Sequence, residues 1–482
     1  MPVVAVVVRA LGAGGEVPTG IADLVGTTLL LALGSACVAG ALGLAGAWLS
    51  VRVQTPGRWI LTALYASPLA VPPYLVALTW LDLVGTPMHG KLPVACLVLG
   101  VCTSPLVLLV TRPAMERLDP RMEEAAAILG LDSARRALRV VIPALRPAIG
   151  AGLCLVALYA FADFGAVSAL GARTFTRAIY FELDLGQDRA LAWSRAALLA
   201  MVLLALAIPV FLAEHKARGA GRYEQDGARR RPARSPALAA VAWFLGLSVF
   251  SATAGLVVAR SAWHARDLPL DHRAWGQALE ALTNSALWAA SAATLAVLVA
   301  LVLGWCASRL RDPFHAWMRQ GATLGFVLPG PVVALGLLIA LAGLGAVGHG
   351  LEGTVVVLVL AYLVRFLPEA LQATSAGLTQ APRRLEEAAR MLGASAPGAV
   401  LRVTLPLLRG SLLASWVLVF TAALRELPAT LLLSPLGARA LSSEIWRFAK
   451  DSHYEQMAPS ALLLVAFTLP AVALILWRRE TT

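Results

Sequence analysis

One polar loop is written twice into this chain, 263 positions apart. Glu124-Ala125-Ala126, Gly130 and Pro143 recur as Glu387-Ala388-Ala389, Gly393 and Pro406. Each copy interrupts long apolar stretches. The fold must therefore accommodate two copies of one unit, each presenting the same element.

The apolar stretches decide the fold class. Several exceed 18 residues, enough to cross a hydrocarbon layer of about 30 Å as a helix. The 482 residues are 59% hydrophobic and 14% charged, against about 25% charged in a typical soluble chain. An all-α polytopic membrane protein follows. The net charge of +12 would suit a nucleic-acid binder. However, the arginines crowd between Arg112 and Arg146, Lys216 and Arg234, Arg309 and Arg319, and Arg383 and Arg409. These loops share one side of a consistent topology, as the positive-inside rule requires, and nucleic acid is excluded as a partner.

Spans are predicted near 21–48, 58–84, 92–112, 147–170 and 190–213, then near 237–260, 284–307, 320–345, 353–366, 408–433 and 456–477. That is about 11 transmembrane helices. A twelfth is required if the 1–8 stretch is the remainder of a longer first helix, since Val8-Arg9 echoes Ala259-Arg260. The organisation is a first half at 1–213, a cytoplasmic linker at 214–236 containing Arg229, Arg230 and Arg231, and a second half at 237–482. Cys37, Cys96, Cys102, Cys154 and Cys306 lie in apolar segments without ligand spacing and read as small buried hydrophobes. His264 and His272 read as solvated loop histidines. No metal site or cofactor is expected.

In each loop copy a proline, Pro120 or Pro382, precedes a short amphipathic helix. Met122, Ala125, Ala126 and Leu129 fall on one face of the first; Leu385, Ala388, Ala389 and Leu392 fall on one face of the second. Gly130 and Gly393 suit the left-handed position that ends a helix. Asp132 and Ser395 can cap the next helix, whose end is marked by Pro143 and Pro406. Small alanines admit another protein's surface, and Glu124 and Glu387 supply a charge for registration.

This Glu-Ala-Ala, three residues, Gly, then Pro pattern resembles the signature loop of membrane permeases of binding-protein-dependent ABC importers, over essentially the whole chain in two tandem copies. Three further segments resemble the iron(III) permease branch: Ala162 to Ser168, Thr174 to Tyr180, and Arg425 to Thr430. Thiamine permeases look similar there. The resemblance implies two tandem halves of the type I ABC importer permease fold in a prokaryotic inner membrane. It also implies two copies of an ABC ATPase subunit docked on the loops, and an extracytoplasmic substrate-binding protein. Glu124, Ala125, Ala126 and Gly130 would serve one ATPase; Glu387, Ala388, Ala389 and Gly393 would serve the other. The cargo expected is iron(III), with thiamine or another small solute as the alternative.

Gly85 to Lys91 imitates a phosphate-binding loop, but Leu92 stands where a Ser or Thr should meet magnesium and no strand precedes it. The chain is thus no ATPase and no enzyme. Asp163 and Glu426, again 263 apart, are acids within or near spans and hence candidate pathway residues. Each could instead pair with a neighbour such as Arg425, or cap a broken helix. Pro72-Pro73 and Pro329-Gly330-Pro331 mark breaks or kinks. A secondary transporter can also contain repeats, but it would need intramembrane ionisable residues rather than paired loops. A passive channel would not respond to ATP.

Overall fold

The computed structural model describes residues 2–12, 20–186, 188–220, 232, 234–269, 273–309, 325, 328–381 and 383–481. The expected arginine run at 229–231, His272, Pro382 and the start of the 320–345 span lie outside the described residues. Among the described residues, nine helices are long and apolar enough to cross a membrane, or ten if one sharply bent pair is a single span. A further apolar helix, Gly330–Ala342, covers the described part of the 320–345 stretch.

The chain divides into two compact units, and each draws on distant parts of the sequence. One contains Val17–Ala178, Leu199–Trp263 and Thr468–Thr482. In it, helix Ile21–Arg52 packs along Leu92–Glu116, and both pack against Ser133–Ala162. Small residues permit this approach, as is common where helices associate in lipid. A Cβ on Gly43 would lie 2.5 Å from the Ser104 carbonyl oxygen, and one on Gly100 would lie 2.5 Å from Val38 Cβ. Two buried hydroxyls of Leu92–Glu116 are satisfied within their own helix: Thr103 Oγ1 donates to the Leu99 carbonyl and Thr111 Oγ1 to that of Val107.

Helix Pro236–Ala265, up to Trp263, belongs to the same unit although it follows the linker. Tyr65 Oη donates to the Ala242 carbonyl at 3.1 Å, and Trp80 Nε1 to that of Ala252 at 3.0 Å. Arg260 Nη2 meets Asp82 Oδ2 at 2.7 Å. His264 sits in the last turn of this helix rather than in a loop, half-buried, and within the other unit its ring stacks on Tyr454.

The other unit contains Met1–Glu16, Ile179–Leu198 and His264–Phe467. Helices Arg273–Arg309, Val355–Gln380 and Leu405–Leu424 pack on one another, and Pro2–Gly12 packs on Gly330–Ala342. Leu378, Ala381 and Leu408, packed with Leu301, Trp305 and Leu412, form an apolar cluster. It repeats the first unit's cluster of Met115, Val141 and Leu145 with Leu44, Trp48 and Ile149. The internal repeat is thus visible in the packing as well as the motif.

Four expected elements end elsewhere. The 147–170 and 408–433 spans stop at Ala162 and Leu424, because Asp163 leaves the helical region (φ −70°, ψ 130°) and short helices restart at Gly165 and Pro428. The 58–84 span is two helices bent by 88°, where Pro72 removes a backbone donor. The 353–366 span continues through Pro368 to Gln380. Pro143 and Pro406 do not end a helix. A π-turn at Ala137–Val141 or Val400–Thr404 precedes each, and the chain stays helical into the next span. Wider turns of this kind tolerate local breaks in the backbone ladder. Of the cysteines, Cys102 is buried while Cys37 is exposed.

Candidate functional site

The first loop helix is Pro120–Ile128. Asp119 caps it, its Oδ1 accepting from Arg121 N at 2.9 Å, and Pro120 takes a first-turn position that needs no donor. Its end is a Schellman motif: Leu131 N donates to the Ala126 carbonyl and Gly130 N to that of Ala127. Gly130 has φ +80°, as the sequence predicted for a left-handed turn. Asp132 then caps the following helix through Arg135 N at 2.7 Å.

The second loop helix, Arg383–Met391, repeats this closure bond for bond. Ala394 N donates to the Ala389 carbonyl, Gly393 N to that of Arg390, and Gly393 has φ +89°. Ser395 Oγ accepts from Gly398 N at 3.2 Å.

The faces of the two helices are where sequence and structure part. Glu124, Ala125, Glu387 and Ala388 are exposed, but Ala126 is buried and Ala389 half-buried. The inward stripe of the first helix is Glu123 with Ala126, so of the residues expected to share one face Met122, Ala125 and Leu129 are exposed while Ala126 is not. Beyond it, Ile128 and Leu129 are 87% and 81% exposed, and Met391 and Leu392 are 88% and 89% exposed. Each loop therefore presents apolar side chains beside a carboxylate.

The residue missed by sequence is the first glutamate of each pair. Glu123 is buried and ion-paired to Arg52. Its equivalent, Glu386, accepts a hydrogen bond from Thr404 Oγ1 at 2.6 Å. Adjacent residues on a helix point only about 100° apart, so both members of a Glu-Glu pair can face solvent and the sequence alone did not mark the inward one.

Asp163 and Glu426 occupy helix breaks. Asp163 Oδ1 accepts from Val167 N at 3.1 Å, and its carbonyl accepts from Thr176 Oγ1 at 2.6 Å. Glu426 Oε1 accepts from Ala429 N at 3.4 Å, while Oε2 meets Arg365 Nε at 2.9 Å. Arg425 instead donates from Nε to the Thr421 carbonyl. Arg365 also reaches the Leu328 carbonyl through Nη1 at 2.9 Å. Thr430 Oγ1 and Ser442 Oγ both donate to the Glu426 carbonyl. Tyr362 Oη hydrogen-bonds Thr430 Oγ1 at 2.6 Å. Beyond the first break, burial pushes the Tyr180 phenol up to about 12, with Asp184 adding to the effect, so it stays neutral. Gly85 to Lys91 contains a short 3-10 turn, Thr86–Met88, between two helices. Among the described residues no group of three His, Cys, Asp or Glu side chains is placed to hold a metal ion.

The family described as the binding-protein-dependent transport system inner membrane component matches residues 40–215 and 296–479, one stretch for each loop copy. The chain belongs to this family of transport permeases. Over 468 residues the permease is 30% identical to the Fe(3+)-transport system permease protein FbpB 2 of Haemophilus influenzae, covering 93% of its own length and 88% of the relative's. It is 22% identical over 394 residues to the ferric transport system permease protein FbpB of Actinobacillus pleuropneumoniae, covering 78% of the permease and 56% of that relative. A sulfate transport system permease protein of Salmonella typhimurium is 33% identical over 153 residues, 29% of the permease and 55% of that protein. The permease is a multi-pass membrane protein of the ABC type, in the iron(III) permease branch.

Proposed function

We propose that the permease forms the pathway of an ATP-driven importer of ferric iron in a bacterial inner membrane. The end-to-end match to an Fe(3+) permease carries the cargo reading. In this reading an extracytoplasmic binding protein delivers the iron. Two copies of an ABC ATPase subunit dock on the loop helices, against Glu124, Ala125 and Gly130 in one and Glu387, Ala388 and Gly393 in the other. The exposed Ile128, Leu129, Met391 and Leu392 support that docking, since an ATPase surface would remove them from water. Conformational work enters at the loops and passes to the spans. The organisation into 1–213, 214–236 and 237–482 follows from the same reading, as the product of a tandem duplication. Asp163 and Glu426 act chiefly as caps of broken helices, with pathway contact their secondary role.

Uptake of radiolabelled ferric iron in cells lacking the permease tests this reading. Wild type restores uptake, whereas the double substitution Glu124→Lys, Glu387→Lys does not and fails to co-purify an ATPase. Unchanged uptake after deletion would reject the cargo. Thiamine uptake would then be the next measurement, followed by sulfate because of the partial match above.

A further inference from the structure

Directly beneath the exposed face of each loop helix lies a glutamate that faces the protein. Glu123 is 7% exposed, and Arg52 and Glu123 leave only 12% and 9% of their side chains in solvent. Arg52 is the last residue of helix Ile21–Arg52, where a cation is favoured by the helix dipole. Its guanidinium lies over the Trp48 ring, 5.0 Å from the centroid. Trp48 in turn packs on the cluster of Met115, Val141 and Leu145 that joins three helices of this unit. In the second copy, Glu386 is held by Thr404, which is 2% exposed and immediately precedes helix Leu405–Leu424. One turn further, Leu408 sits in the equivalent cluster with Leu378 and Trp305. Each loop helix therefore has one carboxylate outward and one turned inward, buried at Glu123 and half-buried at Glu386, and the inward one holds a residue of a long helix.

We propose that Glu123 and Glu386 are positioning residues that transmit movement of the loop helices to the membrane-spanning helices, through Arg52 in the first copy and Thr404 in the second. This rests on the reading of the loops as ATPase-docking elements. A loop helix is only nine residues long. At its turn, a Cβ built on Gly130 or Gly393 meets no atom within 4 Å, so no neighbour is packed against that position. A push on the outer face moves the spans only where the inner face is rigidly held. A buried ion pair resists displacement strongly, because separating it leaves a charge uncompensated in a poorly solvated place.

The test uses the whole permease reconstituted in proteoliposomes with the ATPase that co-purifies with it, reading ATP hydrolysis and ferric iron uptake together. Glu123→Gln and Arg52→Gln retain the bound ATPase but lose about tenfold in iron imported per ATP hydrolysed, the scale of a coupling free energy between two sites. Exchanging the charges, Arg52→Glu with Glu123→Arg, recovers most of that ratio, which a purely structural loss would not do. Glu386→Ala, which removes the acceptor for Thr404, gives a loss of the same kind. An unchanged ratio in Glu123→Gln, or a loss that the exchanged pair leaves untouched, overturns the proposal. If the wild-type permease binds no ATPase, the docking reading itself fails and the proposal falls with it. That result is distinct from an assembled but uncoupled complex.

Discussion

Arg365 and Glu426, 61 positions apart in the chain, join a helix start to a helix break with one ion pair. Arg365 reaches from the middle of Val355–Gln380 to the Leu328 carbonyl, just before helix Gly330–Ala342. It also meets the Glu426 carboxylate at 2.9 Å, where Leu405–Leu424 gives way to Pro428–Leu433. Glu426 lies so close that a Cβ on Gly330 would be 2.4 Å from its Oε1. The equivalent positions of the first copy are Cys102 and Asp163, and there the carboxylate caps Val167 N.

Removing one partner should therefore be costly. Arg365→Met leaves Glu426 uncompensated in a buried site and should destabilise the permease by about 3–5 kcal/mol. Asp163→Ala, the loss of a cap, should cost only about 1 kcal/mol. Thermal unfolding of the detergent-solubilised permease measures both. Equal effects from the two substitutions would reject the clamp.

The loop turns make a different prediction. With no atom within 4 Å of a Cβ at Gly130 or Gly393, the cost of a side chain there is conformational only. Alanine should destabilise each turn by about 1–2 kcal/mol, and asparagine by less. Faster hydrogen exchange at the Leu131 and Ala394 amides, which close the two Schellman motifs, would report it. The two copies should respond alike.

Helix contact predicts the opposite mechanism at Gly43. A methyl group would collide with Ser104 and Val107, so Gly43→Ala should cost about 1–3 kcal/mol through overpacking of Ile21–Arg52 against Leu92–Glu116. Gly410, within helix Leu405–Leu424, has open space around it, and Gly410→Ala should be neutral or stabilise by up to about 1 kcal/mol. The thermal midpoints of the two variants should move in opposite directions.

The permease shows clearly which signals are local. The loop copies, their glycine turns and the capping role of Asp132 were legible because each depends on residues within one or two turns of chain. The helix breaks at Asp163 and Arg425 were legible only as one reading of the two acids, and the spans were drawn through them, because an apolar run reads the same on either side of a break. What stabilises the second break is Arg365, far away in sequence. The inward role of Glu123 and Glu386 was hidden for the same reason, since their partners, Arg52 and Thr404, lie 71 and 18 positions away.

By itself the sequence determined the class, the duplication and the loop chemistry, because hydrophobic length and short-range backbone geometry are written residue by residue. Tertiary structure alone decided which helices share a unit, placing Pro236 to Trp263 with Arg58–Ala66 and Pro73–Val84, and Pro2–Gly12 with Gly330–Ala342. The physical reason is that an apolar helix carries no local record of its neighbour. Contacts such as Tyr65 with Ala242 and Arg260 with Asp82 exist only once distant segments are packed together.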